Sequence, residues 1–377
     1  MKASASKYPF SLSKEALQLF QLAIHQNDNT SSQQIIVDKR FFQLAQLSHL
    51  SGFAYRNLKL AAFEPTEMLS WRALEMQYLK IDASNHAFIE LLTKLQPVLE
   101  KAHIPYAVLK GMDLLFRTYQ ETGIRHISDI DLLIRPQDLD KLQTILSRLG
   151  FSCKPSIDKS AFHEKHFQLH APLQASFNGL NIDVHILLFD TFLELNFSTE
   201  KLLWNRTKVS WQDQYTWVLN AKDAALFNLL HLWVHLDKGN HFKMSSFIDV
   251  YHTLKELDYP SQKNTFSKSV QRKIEEVIDC MIWLGLLEDN YLPNRKAAPS
   301  RYFFYLKFFL QELKPTLGQQ LRYKFLPRLF LYSFSWKTLP LLFFEAFPSK
   351  RYLNYTSPNR SYLTAWLLRL GHFTRKK

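Results

Sequence analysis

"YAVLKGMDLLFRTYQETGIRHISDIDLLI", residues 106–134, reads as a strand, a helix opened by a glycine, and a second strand. Ile127, Ile130, Leu132, Leu133 and Ile134 give the second strand the apolar, β-branched content of a buried element, yet Asp129 and Asp131 stand among them. Aspartates two apart on a strand face the same way. Like charges that close raise the ionisation cost of both unless a cation sits between them. The pair must therefore either cap the strand or do chemistry.

Working outward, "IPYAVLKG" is a short strand ending in glycine, "MDLLFRTYQ" a helix, and "SDIDLLIRP" a strand stopped by Pro136. "PQDLDKLQTILSRLG" is a helix with acidic residues in its first turn and Gly150 as its stop. "HFQLHAPLQASFNGLNIDVHILL" gives two strands about Asn178-Gly179, a strong hairpin signal. Its second strand alternates Asn181, Asp183 and His185 with Ile182, Val184 and Ile186. Placed beside the Asp129/Asp131 strand, it brings three carboxylates together, an arrangement suited to Mg²⁺ and to metal-dependent phosphoryl chemistry.

Phosphates need donors as well. Gly111 at the helix start leaves backbone N–H groups open to an anion, with Lys110 and Arg117 adding positive charge. Arg125, His126 and Ser128 precede the acidic strand, where a loop would enter a cleft, and the Arg125 guanidinium fork fits phosphate oxygens. His185 is expected either to hydrogen-bond Asp183 or to touch an acceptor.

The fold class expected is α+β, a small mixed-sheet core embedded in mostly helical N- and C-terminal regions. Residues 1–103 read as a helical leader and 104–190 as the α/β core. Residues 191–300 read as a return to helices, and 301–377 as a basic aromatic tail. In "NAKDAALFNLLHLWVHLDKG", His231 and His235 lie four apart on one helix, but no Glu completes an H-E-x-x-H pattern and zinc is not expected.

The formal net charge is +13, and residues 301–377 carry fourteen Lys/Arg against Glu312 and Glu345 alone, so the remainder is almost neutral. Twenty of those 77 residues are aromatic. The most apolar run, residues 329–344, contains Lys337 and Pro340 and falls short of the roughly 20 residues a spanning helix needs. Three readings stay open for the tail: packing on the helical body with charged ends outward, docking on an anionic membrane surface, or contact with nucleic acid. Only Cys153 and Cys280 are present, which excludes a disulfide framework and favours a reducing compartment. No signal peptide is read at the N-terminus. The cytoplasm is the expected location, with the inner face of the membrane as the alternative.

"LKGMDLL", "RHISDIDLLI" and "IDVHI", in that order, resemble the polymerase-β-like nucleotidyltransferases, and more narrowly a family of uncharacterised bacterial nucleotidyltransferases. The resemblance implies that Asp129 and Asp131 bind two metal ions and that Asp183 helps hold the catalytic one and activates the acceptor. It implies an NTP substrate, Mg²⁺ or alternatively Mn²⁺, and release of pyrophosphate. Where the superfamily has Gly followed by Gly or Ser, this chain has Gly111-Met112. His231, His235, Lys243 and Asp249 look similar to the helical signature that follows the catalytic domain, implying the floor of a nucleotide or acceptor pocket. The acceptor is open, with tRNA as one alternative and an inactive nucleotide-binding or membrane-associated scaffold as another.

Overall fold

The computed structural model describes residues 12–24, 35–65, 67–156, 169–190, 195, 197–238, 243–292 and 296–310, with short stretches between 316 and 367. Four helices come first: α1 (Lys14–Ile24), α2 (Lys39–Leu47), α3 (Ser51–Leu60) and the long α4 (Met68–Lys101). The core follows as β1 (Tyr106–Leu109), α5 (Lys110–Leu114) running into a π-helical turn at Leu115–Tyr119, β2 (Ile130–Ile134), α6 (Leu139–Arg148), β3 (Ser152–Pro155), β4 (Leu173–Phe177) and β5 (Leu180–His185). Then come α7 (Thr199–Trp204), β6 (Thr207–Trp211), β7 (Gln214–Val218), α8 (Ala221–Lys238), α9 (Ser245–Leu257), α10 (Lys268–Trp283) and α11 (Ser300–Phe309).

The seven strands form one mixed sheet in the order β3-β4-β5-β2-β1-β7-β6, the α+β architecture expected. β2 lies parallel to β5 with Asp131 opposite Asp183 and Leu133 opposite His185. β1 lies antiparallel to β2, setting Leu109 opposite Asp131. Strand alternation then sorts the side chains. Tyr106, Val108, Ile130, Leu132, Ile134, Ile182 and Val184 share one buried cluster with Leu92, Leu95 and Leu99 of α4 and Leu142 and Leu146 of α6. Ala107, Leu109 and Leu133 join a second cluster, on the face that also carries Asp131, Asp183 and His185.

Residues 207–218 correct the helical expectation for the chain past 190. They form a hairpin whose strand β7 pairs parallel with β1 through Val108 and Val218. Its turn is Gln212-Asp213, with Gln212 left-handed at φ +52°. Its outward face mixes Lys208 and Ser210 with Tyr215 and Trp217, and Lys208 stacks on Tyr215 and Arg206 on Trp217.

The second apolar cluster runs through both helical regions, joining Ala16 and Phe20 of α1 and Phe53 of α3 to Phe247 and Ile248 of α9 and Phe303 of α11. α11, the start of the aromatic tail, buries Tyr302, Phe303, Phe304, Tyr305 and Leu306. Phe303 packs against Trp283 with ring centroids 5.1 Å apart. The apolar run 329–344 lies outside the described residues. Among the described residues no helix is long and apolar enough to cross a membrane.

Candidate active site

Where β2 and β5 enter the sheet side by side, one oxygen from each of Asp129, Asp131 and Asp183 lies within 4.8 Å of the others. Asp129 directly precedes β2 and shares the parity of Asp131, so both face away from the α4 side, and the parallel register adds Asp183 on that face. Burial and the neighbouring Asp131 push the Asp129 carboxyl upward. Burial, Asp131 and Asp129 raise Asp183 to about 6.

Asp131 behaves differently. Burial alone would raise its carboxyl, but Lys110 and His185 outweigh that and hold it well below the usual range. Lys110 Nζ donates to Asp131 Oδ1 at 2.7 Å, and His185 Nε2 lies 2.8 Å from the same oxygen. His185 therefore meets Asp131, its diagonal neighbour across the parallel pair, and not Asp183 as one sequence alternative had it. Its Nδ1 is buried without a hydrogen-bond partner among the described residues, and burial lowers the ring to about 4.

Lys110 reaches Asp131 from a left-handed residue, φ +51°, at the junction of β1 and α5. Such backbone is costly for a residue with a Cβ and concentrates at functional sites. Gly111 follows because space is short: a Cβ there would lie 2.8 Å from Arg125 Nη1 and 3.2 Å from Ile127 Cγ1.

A cleft of about 220 Å³ opens over this arrangement, lined among others by Lys110, Gly111, Arg125, Ser128, Asp129, Asp131, His235, Lys243 and Asp249. Lys243 Nζ donates to Ser128 Oγ at 3.1 Å, and Ser128 Oγ donates to Asp129 Oδ1 at 2.9 Å. Arg125 is neither solvated nor free. Its Nη2 and Nε donate to both oxygens of Asp249, with a shortest separation of 2.8 Å, and Tyr119 Oη donates to Asp249 Oδ1 at 2.7 Å. Asp249 on α9 thus clamps the loop that leads into β2. Arg117 corrects the sequence reading: it does not line the cleft, donating instead to Asp113 at 2.8 Å and to the Leu219 carbonyl.

Sequence reading missed several participants. Asn85 of α4 donates through Nδ2 to the carbonyls of Thr122 (2.6 Å) and Arg125 (2.7 Å) and accepts from Ile127 N at 3.1 Å, fixing the loop before β2. Its signal was an amide on the apolar side of a helix, between Ile81 and Phe88. His49, not singled out in the sequence, lies with its ring centroid 6.4 Å from that of His126, which was; burial and then Lys243 lower both, His49 to about 4. Asn228 of α8 also lines the cleft, beside His231, which the resemblance had already placed with His235 at the pocket floor.

Two carboxyls raised by burial and by Asp131, beside a third held ionised by Lys110 and His185, make a donor set of hard oxygens that one lysine only partly compensates. That chemistry fits a divalent cation such as Mg²⁺. A family model described as "uncharacterised nucleotidyltransferase" matches residues 37–284, a span containing β1 to β7 and every cleft residue named above. No curated protein matches the chain.

Proposed function

Because the chain belongs to the uncharacterised nucleotidyltransferase family, we propose that it transfers a nucleoside monophosphate from an NTP to a hydroxyl or phosphate oxygen of an acceptor. The acceptor oxygen forms a bond to the α-phosphorus, the bond from that phosphorus to the β-bridging oxygen breaks, and pyrophosphate leaves. The observation that carries this reading is the convergence of Asp129, Asp131 and Asp183 on one sheet face beside a cleft lined by cations.

Asp129, Asp131 and Asp183 would hold Mg²⁺, or Mn²⁺ in its place, which when bound supplies Lewis acidity toward phosphoryl oxygens. Lys243 and Ser128 border the cleft next to Asp129, where an ammonium and a hydroxyl can donate to the triphosphate. Lys110 neutralises Asp131, and Gly111 keeps the neighbouring backbone accessible. Asp183, half-buried on the same face, takes the acceptor proton at its carboxylate. Arg125 supports this face from behind through Asp249, which accounts for its burial.

Each α-labelled NTP, incubated with the protein, Mg²⁺ or Mn²⁺ and cell extract, tests the reading. Label joined to an acceptor together with released pyrophosphate, both lost in Asp129→Asn, is the expected result. Nucleotide binding with no turnover for any NTP would turn the reading into that of a non-catalytic scaffold.

A further inference from the structure

α8 presents Asn228, His231 and His235 at spacings of three and four residues, hence on one face, and all three line the cleft. Asn228 is 8% exposed and its amide Nδ2 has no hydrogen-bond partner among the described residues. Buried amides are nearly always paired in folded proteins, so an amide at the cleft wall without a partner among the described residues keeps hydrogen-bonding capacity for a ligand. Beside it, His231 Nε2 and His235 Nε2 lie 3.2 Å apart, so one ring donates to the other. Burial, then Lys110, His235, His170 and His185, hold His231 well below its ordinary range, which leaves that ring uncharged at neutral pH.

The cleft is thus divided by chemistry. Lys110, Arg125, Asp129, Asp131 and Lys243 make a charged side, while α8 contributes a hydrogen-bonding stripe of amide and imidazole groups, with Leu114 and Ile127 as apolar lining. An NTP is divided in the same way, into an anionic triphosphate and an uncharged planar base whose edge carries lone pairs.

We propose that the Asn228–His231–His235 face of α8 reads the nucleobase of the NTP, with the Asn228 amide hydrogen-bonding the base edge. The inference rests on the proposed nucleotidyl transfer and assigns that reaction its base selectivity. A polar group at the cleft wall left unpaired by the wrong base penalises that base more strongly than an apolar pocket would.

Calorimetry on the full chain with Mg²⁺ and ATP, GTP, CTP, UTP or inorganic tripolyphosphate tests it. The wild type is expected to favour one base over the weakest by about tenfold or more. Asn228→Leu, which removes the amide at similar volume, should compress the four affinities to within about threefold and leave tripolyphosphate within about twofold. Asn228→Asp, which replaces the donor with an acceptor, should reorder the bases, and it serves if the leucine variant does not fold by thermal unfolding. Equal binding of all four NTPs by the wild type would overturn the inference. So would an unchanged ranking in the folded variants, or an equal loss for tripolyphosphate. Variants that bind every NTP normally and lose only transfer would assign the face to the acceptor and overturn it too. Failure of the wild type to bind any NTP would instead remove the proposed function, and this inference with it.

Discussion

Lys110 Nζ donates to Asp131 Oδ1 at 2.7 Å, so the most buried of the three converging carboxylates carries an internal counter-ion. An ammonium in that position competes with any added cation for the same oxygens. Lys110→Met should therefore bind Mn²⁺ about tenfold more tightly in the absence of nucleotide, since one charge at close range in a partly screened site is worth on the order of a kcal/mol or more. Calorimetric titration with Mn²⁺ checks this. Affinity equal to or below that of the wild type would show that Lys110 does not oppose metal.

The pH dependence of stability in EDTA isolates Asp183. Its carboxyl is raised from 3.8 to about 6 in the folded protein, so between those values the folded state binds more protons than the unfolded chain. Stability from this group therefore falls as pH rises through that window. Asp183→Asn should unfold about 2–4 °C above the wild type at pH 8, with the difference vanishing near pH 4. A variant less stable than the wild type at pH 8 would contradict the assigned direction.

Asp129 and Asp131 should separate in stability while failing together in catalysis. Asp131→Asn breaks a buried pair with Lys110 and removes the acceptor for His185, a loss of about 3 kcal/mol. Asp129→Asn relieves repulsion and should be neutral or mildly stabilising, because burial and Asp131 already push that carboxyl up. Both should lower transfer by about a hundredfold or more. Urea denaturation beside the labelled-NTP assay distinguishes them, and equal stability of the two variants would count against the described pairing.

Asp249 is expected to matter chiefly for folding. Asp249→Ala strands the Arg125 guanidinium in a buried position and should cost about 3–5 kcal/mol by urea denaturation. Arg125→Lys should recover little, because a single ammonium cannot meet both carboxylate oxygens. Recovery to wild-type stability in Arg125→Lys would show that charge alone suffices.

The central sheet was legible because its strands follow elementary rules. Alternation put Asp183 and His185 on one face, Pro136 stopped β2, and Asn178-Gly179 turned the β4–β5 hairpin, where Asn178 and Gly179 both take positive φ. The β6–β7 hairpin was not legible, because Gln212-Asp213 is a weak turn signal and the outer positions of a partly exposed strand are polar. Partners were harder still. Arg117 and Arg125 carry the same fork; Asp113, four residues before Arg117, was a local partner in plain view, whereas only the tertiary placement of Asp249 decides where Arg125 points. Asn228 reads in sequence as an ordinary helical amide, and only the fold shows it at the cleft wall with its Nδ2 enclosed and unpartnered among the described residues.

The pairing of Val108 with Val218 also sets an order of events during synthesis. β1 leaves the ribosome early, yet the strand that covers its second edge follows only after about a hundred further residues, several seconds later at ordinary elongation rates. Until then β1 and β2 present an open hydrogen-bonding edge of apolar strands, the kind of surface that recruits other chains. A truncation ending near residue 190 would freeze the protein in that incomplete state, so isolated catalytic-core fragments should aggregate, while chains extended past β7 have that edge covered.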